Sequence, residues 1–120
     1  MYIRHDISAT DYINMFAARK KIWADVQAMT QPFDALILPT SPTLPPALQT
    51  LDTIEAKTAI NARCLRNTSL SNYLDQPTIT LPCHGVGTAP VGISLIGPRL
   101  HDHRLLAIAA GVETILNAAR

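Results

Sequence analysis

A serine attacks a carbonyl only when a base takes its proton and donors receive the oxyanion. In this 120-residue sequence the nearest approach to a nucleophile turn is Gly92-Ile93-Ser94. Ile96 stands where a GxSxG elbow needs its second glycine. The five glycines, at 85, 87, 92, 97 and 111, build no Gly/Ser-rich loop. Ser94 therefore reads as the outward residue of a strand, and Lys20, Lys21 and Lys57 match no catalytic lysine motif. His101-Asp102-His103 carries metal-ligand residue types, but positions i and i+2 do not share a helix face and no second cluster completes a shell. Cys83-His84 is a pair without partners, so these histidines read as neutral loop residues. Asp34, Asp52, Asp75 and Asp102 fall at turns or caps rather than as facing carboxylates. No glycine loop cradles a phosphate, and neither a metal nor a cofactor is expected.

What remains is the polar cluster Arg66-Asn67-Thr68-Ser69, with Asn72 just beyond, in an apolar neighbourhood. Polar groups placed there must find partners. Arg66, Asn67 and Asn72 either cap helix ends and fix loops or line a pocket; the two readings stand level.

The elements that would position these residues follow from periodicity. Tyr12, Met15, Phe16, Ile22, Trp23, Val26 and Met29 recur at helical spacing, predicting a helix over about 9–30 with Ser8 or Thr10 as cap and Asp11 in its first turn. The helix should stop before Gln31-Pro32. Residues 34–38 (DALIL) form a nearly continuous apolar run, which suits a strand buried on both faces of a parallel or mixed sheet. The proline-rich 39–48 is a stiff connector; its PxxP spacing lacks the flanking basic residues of a polyproline ligand. A weakly amphipathic helix is expected over about 52–66, with a tendency extending towards Tyr73. Strands are expected over about 78–82 and 91–96, because Ile79 and Leu81, then Val91, Ile93 and Leu95, alternate. Pro77, Pro82 and Pro90 sit at strand ends, where proline is tolerated. The last helix, about 102–117, has Asp102 as its expected N-cap and an apolar face of Leu105, Ile108, Ala109, Val112, Ile115 and Leu116.

A hydrophobic content of 48% against 16% charged residues excludes a disordered chain and implies that much of the surface is covered by something. A net charge of +1 gives no electrostatic case for nucleic acid or an anionic membrane. Cys64 and Cys83 are expected to be reduced, partly buried thiols, with a disulfide or a reactive thiol as the alternatives. No signal-peptide pattern follows Met1, and no apolar run reaches the ~20 residues of a membrane helix, so a soluble cytoplasmic protein is expected.

Asn72 followed by Gln76-Pro77-Thr78-Ile79-Thr80-Leu81-Pro82-Cys83, and then Ala89-Pro90-Val91-Gly92-Ile93-Ser94-Leu95-Ile96-Gly97, resembles the C-terminal part of the amidase signature family. An Asp, an apolar strand and Pro-Thr-x-Pro at 39–42 continue the resemblance, which runs from about Ser8 to Leu116. It implies an α/β class, the C-terminal segment of an α/β/α sandwich with a few strands of a mixed sheet covered by helices. Enzymes of this family hydrolyse amides with a Ser–cis-Ser–Lys triad. Their nucleophile lies in a Gly/Ser-rich loop with a lysine well upstream, and neither segment is found here. The resemblance assigns the chain sheet, a covering helix and part of a substrate wall, whose nearest residues are Arg66, Asn67, Thr68 and Asn72. Arg66 could pair with a substrate carboxylate or carbonyl through its bidentate fork. Many relatives carry Gly just before the proline matching Pro77, where this chain has Asp75-Gln76, so the local turn differs. Arg-Asn-Thr with Asn72 and Leu74-Asp75 is similar to the subgroup acting on small amides, urea-derived and amino-acid amides included.

The implied partners are a small amide substrate in the intact enzyme, and either the N-terminal part of the amidase or a second copy of the chain. Two alternatives stand beside this reading: a non-catalytic module docking on another chain through exposed sheet edges, and a small independent enzyme using unfamiliar residues.

Overall fold

Ser8 opens the first helix by a reciprocal cap. Its hydroxyl accepts the Asp11 N–H at 3.1 Å while the Asp11 carboxylate accepts the Ser8 N–H at 3.1 Å, satisfying two donors that the first turn leaves over. The Ser8 hydroxyl and backbone hold the Asp11 carboxyl below its ordinary value of 3.8. The computed structural model describes residues 7–119, so Met1 and the residues just after it lie outside the described residues. These fall into two units, the first ending at Pro32 and the second beginning at Phe33.

The first unit is the helix α1 (Ala9–Thr30), closing at Gln31, the residue before Pro32. Tyr12 and Phe16, one turn apart, meet edge to face with centroids 4.8 Å apart. No α1 side chain is buried, and Tyr12, Met15, Phe16, Ile22 and Met29 of the apolar stripe are exposed.

In the second unit the strands β1 (Leu36–Pro39), β2 (Thr78–Pro82) and β3 (Gly92–Ile96) form a three-stranded sheet in the order β1-β3-β2. Both neighbours run antiparallel to β3, with Ile37 and Ile79 opposite Leu95, and Leu38 and Thr80 opposite Ser94. The helices α2 (Ile54–Leu65), α3 (Thr68–Leu74) and α4 (Asp102–Ala118) complete a mixed α/β arrangement, with a 3-10 turn at Leu48–Thr50.

The two-residue period decides what meets α4. Leu81 and Leu95 pack with Leu105 and Ala109, which lie one helical turn apart, and Ile79, Ile93, Ile108, Val112 and Leu116 surround them. Complete burial of a side chain such as Leu95 is worth roughly 1.5–3 kcal/mol. Gly97 lets α4 approach, because a Cβ there would sit 3.2 Å from Leu105 Cβ. α4 packs on β2 and β3, so Ile37 of the outer strand β1 remains 65% exposed. The DALIL run is therefore an edge strand with alternating exposure, not a strand buried on both faces. Two details of α4 also differ from expectation. Its N-cap is His101, with Asp102 the first helical residue, and Ile115 falls outside the buried stripe.

On the opposite face of the sheet Ser94 and Ile96 are buried, as are Ser71 and Leu74 of α3. α3 begins beside the end of β1, where Asn67 bonds the Pro39 carbonyl. It leads into Pro77, whose carbonyl receives the Gly97 N–H just past β3. α3 thus connects the two ends of the sheet with Ser71 and Leu74 buried, while Thr78 and Thr80 on the second face stay exposed. Asp75 ends it in the left-handed conformation (φ 55°), one of the few non-glycine types that enters this region readily. Cys64 and Cys83 are both half-buried and unbridged.

Candidate substrate wall and hydroxyl-floored cleft

The weakly amphipathic stretch after Thr53 does not continue as one helix. Thr53 caps α2 by accepting the Ala56 N–H at 3.1 Å, and the chain breaks at Arg66-Asn67 before α3 starts. That break gathers three of the predicted site residues. Asn67 donates from Nδ2 to the Pro39 carbonyl at 2.7 Å, while its Oδ1 accepts from Arg66 Nε at 3.3 Å. Thr68 donates back to the Leu65 carbonyl at 3.2 Å. The bonds tie an α2–α3 corner to the end of β1 and leave the Arg66 side chain exposed beside it. Of the two expected roles, the bonds show the first: Asn67 fixes a loop and holds the neighbouring Arg66 side chain through its Oδ1.

Asn72 lies elsewhere. It lines a depression of about 460 Å³ with Ser71, Asp75, Gln76, Pro77 and Arg99, where Arg99 pairs with Asp75 at 3.7 Å. These charges are half exposed, so the pair contributes little to stability.

A second cleft, of about 470 Å³, opens where β1 and β2 end and β3 begins. Thr40, Thr43, Leu44, Thr80, His84 and Val91 are among the residues that line it. Behind its lining residues Thr40 and Thr80 lies the buried Ser94 hydroxyl, 2.8 Å from Thr40 and 3.1 Å from Thr80, and Thr40 donates to Thr80 at 3.3 Å. Ser94 is thus buried within a hydroxyl trio, not turned outward to solvent. The signal for it was present in sequence: Thr80 and Ser94 alternate with the core residues Leu81 and Leu95 and fall opposite each other on the other face. Ser94 meets hydroxyls here rather than a base. His84 places Nδ1 3.1 Å from the Val91 carbonyl and 3.3 Å from the Val91 nitrogen, so its ring braces the loop between β2 and β3.

His101, Asp102 and His103 begin α4, and His101 turns Nδ1 to the Arg99 carbonyl at 2.8 Å. Among the described residues no group of three or more His, Cys, Asp or Glu could hold a metal ion. Arg104 pairs with Asp34, tying α4 to the segment before β1. No helix among the described residues is long and apolar enough to cross a membrane.

The family model described as amidase matches residues 2–106. The chain is 31% identical over 111 residues to the 2-amino-5-chloromuconic acid deaminase of Comamonas testosteroni, covering 92% of the chain and 24% of that protein. Over 106 residues it is 31% identical to a glutamyl-tRNA(Gln) amidotransferase subunit of Sulfurisphaera tokodaii, covering 88% of the chain and 22% of that protein. The corresponding subunit of Halobacterium salinarum is 31% identical over 97 residues, with 80% and 22% covered. The chain therefore spans about a quarter of the length of these curated relatives, at 24% and 22%.

Proposed function

Because the chain belongs to the amidase family, we propose that it forms the C-terminal portion of an amidase that hydrolyses a carbon–nitrogen bond of a small amide. It contributes sheet, covering helix and one wall of the substrate site, while the Ser–cis-Ser–Lys triad belongs to a segment outside these 120 residues. The observation that carries the wall is the Asn67–Pro39 bond of 2.7 Å, which pins the corner bearing Arg66 to the end of β1. Arg66 reads a carboxylate or carbonyl of the substrate; Asn67 and Thr68 hold the corner, and Asn72 extends the wall along α3. The Comamonas relative is named for an acid substrate, which supports a carboxylate partner for Arg66. Relatives named as subunits support a chain that works joined to other polypeptide, and the half-buried free cysteines support a cytoplasmic setting.

The test is ammonia release by this segment assembled with the remainder of the amidase. A hydrogen bond to a charged group is worth about 1.5–3 kcal/mol, so Arg66→Ala should lower kcat/KM on a carboxylate-bearing amide roughly tenfold or more. Unchanged kcat/KM and unchanged substrate preference would remove Arg66 from the wall.

A second reading, a non-catalytic module that docks on another chain, is favoured by one observation. β1 and β2 both present sheet edges among the described residues, and Ile37 is 65% exposed on one of them. Amide hydrolysis restored by adding the remaining amidase segment separates the two.

A further inference from the structure

We propose that the sheet continues past β1 and not past β2, and that the occupant of the β1 edge is a strand from the amidase segment outside these 120 residues. The occupant rests on the C-terminal-portion reading above; the choice of edge rests on the geometry of this chain.

Residues of an antiparallel ladder alternate between those that exchange main-chain bonds with the partner strand and those that turn away from it. Thr40 donates to the Gly92 carbonyl at 2.9 Å. In the register that sets Leu38 opposite Ser94 and Leu36 opposite Ile96, those two residues therefore turn their N–H and C=O to β3. Ile37 and Pro39 turn theirs outward. The 2.7 Å bond from Asn67 Nδ2 agrees, because it meets the Pro39 carbonyl on that outer side. Asn67 and the missing proline N–H close the edge at residue 39, which leaves Ile37 as its open position. On β2 the ladder is anchored by Cys83 donating to Val91 at 2.9 Å and Gly97 to Pro77 at 3.0 Å, so Thr78, Thr80 and Pro82 turn outward.

The side chains on the two edges differ. Thr78, Thr80 and Pro82 are exposed, and polar residues with a proline at an outward position finish an edge. Ile37 instead shares the face of the fully buried Leu95, yet is 65% exposed because α4 packs on β2 and β3. The apolar run at 35–38 suits a strand with a neighbour on each side and cover on both faces. The 120 residues supply neither an outer neighbour for β1 nor a cover for Ile37. The curated relatives hold about three quarters of their length outside the match, at 24% and 22% covered, which is ample chain for both. Pairing that takes the Ile37 N–H and C=O must stop short of Pro39, so the added strand ends beside the α2–α3 corner that carries Arg66.

The experiment is residue-resolved amide hydrogen exchange on the chain assembled with the remaining amidase segment, with light scattering to read stoichiometry. In a one-to-one assembly the Ile37 N–H should be protected roughly hundredfold more than those of Thr78 and Thr80, the contrast between a ladder amide and a solvated one. Ile37→Pro removes an outward N–H and no β1–β3 bond, so it should abolish assembly. Thr78→Pro makes the same change on β2 and should leave assembly intact. If either variant fails to fold, the exchange pattern of the unaltered protein still decides. Protection at Thr78 and Thr80 with Ile37 exchanging freely moves the junction to β2 and overturns the proposal. Copies that pair with one another while the remaining segment stays free give the edge to a second copy and overturn it too. Ammonia release by an assembly with an unprotected Ile37 sinks the β1 junction and leaves the hydrolase reading standing. Conversely, a protected Ile37 in an assembly that releases no ammonia keeps the junction and removes the hydrolase reading.

Discussion

Gly92 faces Thr80 diagonally across the β2–β3 ladder, so closely that a Cβ on residue 92 would stand 2.9 Å from Thr80 Cγ2. Two effects compete when a methyl group is added there. Removing glycine from a strand stabilises by about 0.4–1 kcal/mol through the unfolded chain. Overpacking destabilises by about 1–3 kcal/mol. The steric term wins, because β2 and β3 are hydrogen-bonded neighbours and neither can retreat without breaking the ladder. Gly92→Ala should therefore lower stability in urea denaturation, and Thr80→Ala in the same chain should recover part of the loss. A Gly92→Ala chain as stable as the parent would show that the contact relaxes freely.

Leu100 holds a left-handed backbone (φ 63°) although 80% of its surface is exposed. A side chain so exposed gains little from burial, whereas the conformation costs an L-residue about 1–2 kcal/mol. Leu100→Gly removes that strain and adds unfolded-state entropy, so the expected outcome is a net gain of up to about 1 kcal/mol. Thermal melting checks the sign; a lower Tm would mean that the Leu100 side chain makes a contact worth more than the strain.

Acid should loosen the start of α1. The Asp11 carboxyl is held below 3.8 by the Ser8 hydroxyl and backbone, so folding favours its ionised form. A depressed folded pKa contributes stability that is present above 3.8 and lost as pH falls through the lower folded value. Protection of the first turn of α1 against amide exchange, taken relative to the intrinsic rate at each pH, should fall across that acidic window. Asp11→Asn should remove the pH dependence without altering exchange in α4.

Exposed apolar surface sets the behaviour of the isolated chain. Ile37 on an edge strand and Tyr12, Met15 and Met29 on α1 are all more than half exposed, at 65%, 58%, 56% and 75%. Strand edges and apolar stripes of this kind recruit other chains. Light scattering at micromolar concentration should report dimers or larger species, and a sharp monomer peak would contradict the prediction. Ile37→Lys should reduce the association by placing charge on the β1 edge.

Much of the sheet's inner face was legible in the residues themselves. Alternation placed Ile79 and Leu81 together and Ile93 with Leu95, and the α4 stripe of Leu105, Ile108, Ala109, Val112 and Leu116 is the surface that meets them. The prolines at the strand ends and the stop before Pro32 follow from backbone sterics alone. The candidate site was less legible. Arg66, Asn67 and Thr68 form one corner because Asn67 reaches Pro39, 28 positions earlier in the chain. Asn72 stands close to them in sequence, yet it lines a depression on the far part of α3 that none of the three lines.

Sequence by itself determined which side chains share a face, because the period of a strand or helix is a property of the local backbone. Only the tertiary structure decided which faces are covered. Ser94 reads as outward in its strand, and it is buried because β3 is the central strand and Thr40, from a distant part of the chain, and Thr80, from the neighbouring strand, close over its hydroxyl. Covering a face depends on the path of intervening chain and on contacts closed across tens of residues, and no local period encodes those.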